Sequence, residues 1–141
     1  METAVVRKRL VDAIERAKRT AGDRRTRADE AARAYAQFLE TTAVPLLRQV
    51  ANVLKASGYP FAVFTPSGGV RLMSERNAED YIELSLDTSG DEPMVIGKSS
   101  RARGRRVVEH ERAIAEQTVA HLTEEHLFDY LLKELEPYIE R

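Results

Sequence analysis

The chain has 141 residues, 43% of them hydrophobic and 32% charged, with a formal net charge of −1 and no cysteine. The length fits one domain with a core of its own. Disulfides, thiolate zinc sites and thiol catalysis are excluded, and no apolar run approaches the ~18 residues of a transmembrane helix. Met1-Glu2-Thr3-Ala4-Val5-Val6-Arg7 lacks the charged-then-apolar order of a signal peptide, so a cytoplasmic location is expected.

The near-zero net charge hides segregation. Residues 1–27 carry nine Lys/Arg against four Asp/Glu, whereas residues 81–97 carry four acids and no base. Residues 98–112 are basic again, with six against two, and residues 113–141 are acidic, with two against seven. Such blocks point either to a polyanion partner or to a basic helix answered by an acidic one, within a chain or across a dimer.

Residues 4–56 read as helix, rich in Ala, Arg, Leu and Glu, with Gly22 and Pro45 as the only breakers before Gly58. A seven-residue register runs through Leu10, Ile14, Ala17, Ala21, Arg24, Ala28, Ala31, Tyr35, Phe38 and Thr42. That stripe would face a partner helix. Two arrangements fit it. One is a single rod from about residue 3 to 42; the other is a hairpin turning at Ala21-Gly22-Asp23. The unbroken register favours the rod, and a rod favours a homodimer. Pro45 predicts a kink or a fresh helix capped by Thr42. Leu46, Leu47, Val50, Val53 and Leu54 then form a richer face, expected to pack on a sheet.

After Ser57-Gly58-Tyr59-Pro60 the period changes from helical to alternating. Strands are expected at 61–65, 70–74 and 81–87, then at 94–98 and 105–111, joined by Gly-, Pro- and Asp-containing turns. In the third strand Ile82, Leu84 and Leu86 face one way and Glu83, Ser85 and Asp87 the other, so one sheet face is wet. Ser99–Gly104 reads as a polar connection. Residues 112–121 fit either strand or helix, with Thr118-Val119-Ala120 leaning to strand. Thr123 caps a last helix over 124–139, whose buried stripe is Leu127, Phe128, Leu131, Leu132, Leu135 and Ile139.

The expected class is α+β: a long N-terminal helix or helical hairpin, an antiparallel meander of four to five strands, and a C-terminal helix on one sheet face. Residues 1–57 form a helical region with a coiled-coil-like stripe. Residues 58–141 form the meander and closing helix, making one compact domain with 44–57.

No catalytic, cofactor-binding or metal-binding motif is present. His110, His121 and His126 have no metal-ligand spacing, and Ser67 before Gly68-Gly69 is explained as a turn. The strongest candidate for chemistry is Lys98, Arg101, Arg103, Arg105 and Arg106, five cations in nine residues that suit phosphate contact. No aromatic is interleaved, so sequence-neutral backbone contact is expected rather than base stacking. The second basic set, Arg7 to Arg27, flanks the helical stripe as ordinary solvent-facing charge.

The reading is a non-catalytic protein-interaction module without a cofactor. It is expected to self-associate as a homodimer through Leu10, Ile14, Ala17, Ala21, Ala28, Ala31, Tyr35 and Phe38, with a further protein partner open and no membrane insertion. The alternative is a nucleic-acid-binding protein using the 98–106 loop. A third reading is a small-ligand binder or an enzyme without a recognisable motif.

Overall fold

A computed structural model describes residues 1–140 of the chain. Its fold is α+β: one long helical rod, a five-stranded antiparallel meander and a C-terminal helix. The rod comprises α1 (Thr3–Phe38), a π-helical segment (Leu39–Ala43) and α2 (Val44–Ala56). The hairpin at Gly22 is not formed. The glycine sits in open space inside α1, where it costs about 1 kcal/mol relative to Ala and is tolerated.

Pro45 neither breaks the rod nor starts a new helix, and Thr42 caps nothing. Proline lacks the N–H that would bond four residues back. The helix absorbs this loss by widening one turn, where the Val44 N–H reaches the Leu39 carbonyl five residues back. Thr41 Oγ1 donates to the Gln37 carbonyl at 2.7 Å. Each π residue turns through a smaller angle than an α residue. The widened turn therefore rephases the helix, and Leu47, Ala51 and Leu54 bury in the same core as Tyr35 and Phe38. The rod ends in a Schellman pair, Tyr59 N–H to Leu54 O and Gly58 N–H to Lys55 O.

The strands are β1 (Phe61–Phe64), β2 (Gly69–Ser74), β3 (Tyr81–Asp87), β4 (Met94–Arg103) and β5 (Arg106–Ala113), adjacent in chain order. β4 is twice the expected length. Ser99–Arg103 is strand rather than a polar connection, because it pairs residue for residue with β5 out to Arg103 opposite Arg106. Residues 112–113 finish β5, while Val119–His121 is a 3₁₀ turn and not a strand. Val119 is buried against the core there.

α3 (Glu124–Glu140) closes the helix-bearing face of the sheet. Its start is capped reciprocally: the His126 N–H donates to Thr123 Oγ1, and the Thr123 N–H donates to His126 Nδ1. Gly97 makes the close approach of α3 possible, since a Cβ there would collide with the hydroxyl-bearing edge of the Tyr130 ring. Tyr138 stacks edge-on against Phe61, with ring centroids 5.8 Å apart. Its hydroxyl lies 2.5 Å from the Ser100 carbonyl and 3.0 Å from that of Tyr81, tying α3 to β3 and β4.

The core lies between this sheet face and the helices: Val70, Leu72, Ile82, Leu84 and Val95 below, Leu47, Leu127 and Leu131 above. The opposite face is wet, as the alternation predicts. Charges of alternating sign cross it. Arg71 on β2 pairs with Glu83 on β3 at 3.2 Å, Glu83 sits opposite Lys98 on β4, and Lys98 pairs with Glu109 on β5 at 3.6 Å.

Candidate interaction surfaces

α1 meets the body only through its C-terminal part. Tyr35 and Phe38 are buried, Ala28, Ala31 and Ala34 are half-buried, and Arg24 pairs with Asp91 at 2.8 Å. Residues 1–20 are exposed throughout, an arm about 27 Å long at 1.5 Å per residue from Thr3. Val6, Leu10, Ala13, Ile14, Ala17 and Ala21 fall on one side of that arm at helical spacing, and Leu10 is 58% exposed. The predicted stripe is thus divided. Tyr35 and Phe38 belong to the chain's own core, Ala31 packs against it, and Leu10, Ile14 and Ala17 remain uncovered. The reason is length: the body is too short to cover a 36-residue helix.

The five cations of the second candidate do not form one cluster. Lys98 points to the wet face and belongs to the charge ladder. Tyr81 beside it, and then Glu109, hold its pKa above the ordinary lysine value. Arg101, Arg103 and Arg106 lie on the other face of the ribbon by strand alternation, and Arg105 occupies the two-residue turn. Among the described residues these four arginines make no ion pair. Arg103 and Arg106 sit directly across the ladder, a like-charge pairing that opposes hairpin closure. The acidic stretch 81–97 pairs with Arg71 through Glu83 and with Arg24 through Asp91, and among the described residues not with the four arginines.

Elsewhere the titratable groups are structural. Glu134 receives Arg112 at 3.0 Å, and Arg112 lies 4.6 Å from the centre of the Tyr130 ring. Asp80 is buried and its Oδ1 accepts the Ala102 N–H at 2.8 Å. Among the described residues no group of three or more His, Asp or Glu gathers as metal ligands. Nor is any helix among them long and apolar enough to cross a membrane.

One surface is absent from the reading of the sequence. Phe128, Leu132 and Ile139, expected in the buried stripe of the last helix, are 38%, 51% and 43% exposed. Together with Leu46, Val50 and Val53 of α2 they line a groove of about 910 Å³ between α2 and α3. A signal for it was present. At 3.6 residues per turn the apolar side chains of α3, from Tyr130 round to Leu132, cover about 200°, twice the stripe that one core needs. Leu127, Tyr130, Leu131, Leu135 and Tyr138 fill the half that meets the sheet.

No family model, curated protein or solved structure matches the chain.

Proposed function

We propose that this chain is a non-catalytic interaction module that self-associates through the exposed N-terminal half of α1. The observation that carries this reading is the arm itself, a continuous helix whose apolar stripe is left exposed by the described residues of its own chain. Full burial of a Leu, Ile or Val side chain contributes roughly 1.5–3 kcal/mol. A free helix of this length is marginal in water without such burial. Both facts favour a covered arm. Sedimentation at 1–100 μM tests it: the wild type is expected to dimerise, and Leu10→Asp/Ile14→Asp to remain monomeric, losing at most the helical signal of residues 3–20 while the body unfolds as in wild type. A wild type that stays monomeric throughout that range refutes the reading.

A second reading has its own support, the four arginines of the β4–β5 hairpin, which make no ion pair among the described residues. Their side chains suit phosphate oxygens, without the aromatics needed to stack bases. Titration of labelled duplex DNA and single-stranded RNA decides it. Binding should weaken steeply with salt, and Arg101→Ala/Arg103→Ala/Arg105→Ala/Arg106→Ala should abolish it. No binding at low salt removes this reading and leaves the first untouched.

A further inference from the structure

The groove between α2 and α3 has a floor of eight apolar side chains, and among the described residues the charges on its rim are all negative: Glu124, Glu125, Glu136 and Glu140. Among the described residues no lysine or arginine lines it. Its floor includes some of the most exposed large apolar groups of the body, with Val53 at 66%. Glu124 and Glu140 lie at opposite ends of α3, so the groove follows nearly the whole helix, about 24 Å. An apolar trough of this kind takes an amphipathic helix.

The chain carries a helix of the matching character. Residues 3–20 present Val6, Leu10, Ile14 and Ala17 on one side and hold six cations against two carboxylates, a net charge opposite to that of the rim. Their length, about 27 Å, matches that of the groove. The arm cannot enter the groove of its own chain. Leu10 and Leu46 lie on the same unbroken rod, 36 residues and about 54 Å apart.

We infer that the groove between α2 and α3 is the receptor for the N-terminal arm of a second copy of this chain. The exchange is reciprocal: each copy inserts its arm into the groove of the other, with the α1 helices antiparallel. This inference rests on the self-association reading and adds the surface on which the arm docks. It accounts for both uncovered apolar faces with one contact. It also gives the segregation of charge along the sequence a purpose, since the basic residues 3–20 and the acidic rim on α3 come together between copies.

The test uses the full chain in three forms. The arm variant is Leu10→Glu/Ile14→Glu, and the groove variant is Val53→Glu/Leu132→Glu, all at exposed positions where the fold should tolerate charge. Each should raise the dimer dissociation constant by about 100-fold or more, with the unfolding transition of the body unchanged and any loss of helical signal confined to that of the released arm. The chain has no cysteine, so single introduced thiols are unique. Leu10→Cys chains mixed with Leu132→Cys chains should be joined by a short bismaleimide, whereas neither should join efficiently to itself. Two results overturn the inference while leaving self-association intact: a groove variant that dimerises like wild type, or Leu10→Cys chains that cross-link only to each other. A wild type that is monomeric at every concentration overturns both.

Discussion

At Gly97 and Tyr130 the sheet and α3 meet closely. A methyl group at Gly97 has no room, because the Tyr130 ring occupies its place. Gly97→Ala should therefore push α3 off β4 and destabilise the fold by about 1–3 kcal/mol, the usual cost of overpacking. A lower denaturant midpoint with an unchanged m-value is the expected result. Tyr35 makes a second residue-scale prediction. Its hydroxyl lies 3.0 Å from the Gly68 carbonyl and 3.3 Å from that of Leu84, and burial, aided by the charge of Glu83, raises its pKa to about 12. The unfolded chain ionises this tyrosine near pH 10 while the folded chain keeps the proton. The stabilisation is complete below pH 10 and is lost as pH rises towards 12. Burial also raises the pKa of Tyr130, which adds to the same loss. Tyr35→Phe should flatten the fall of stability between pH 10 and 12 without removing it, as equilibrium unfolding at a series of pH values would show.

Among the elements, the rod shows how weakly single breakers act against a favourable run. Gly22 leaves α1 intact and has open space around it, so Gly22→Ala should strengthen the helix by about 1 kcal/mol. That gain corresponds to about fivefold greater amide-exchange protection on the N-terminal side of residue 22, with little change in the main unfolding transition. Pro45 behaves differently, since its lost donor is real. The chain replaces the missing bond by winding wider just before the proline. The same widening brings α2 into phase with the sheet, so a helix defect becomes the device that aligns two apolar faces. α3 makes the complementary point. Its apolar arc is too wide for one contact, and the surplus half becomes the groove floor. β4 and β5 extend beyond the body for a similar reason: their far ends pair with each other, so the ladder persists where the core has stopped.

For the whole molecule, arm and body are energetically separate within one chain, because every one of residues 1–20 is exposed. Removing residues 1–20 should leave the core transition cooperative and abolish self-association. The full chain should melt at a temperature that rises with protein concentration, as linkage requires of a dimer, and the truncated chain at one that does not. Calorimetry over a tenfold concentration range checks both. The sequence alone determined the fold class, the helical character of residues 4–56, the wet sheet face and where the five strands lie, β4 only in its first half, because each rests on local periodicity: 3.6 residues for α1, two for β3; it favoured the rod over a hairpin without deciding between them. It also exposed the charge blocks and the absence of a recognisable catalytic motif. What it left open depends on partners distant in the chain. Tyr35 and Phe38 look like the rest of the stripe until the sheet covers them. Lys98 looks like part of an arginine cluster until strand alternation turns it to the other face. Ser99–Arg103 looks like loop until β5 pairs with it. The division of α3 between core and groove was decided only when α2 and the sheet came to lie on either side of it, because burial belongs to neighbours and a sequence lists only residues.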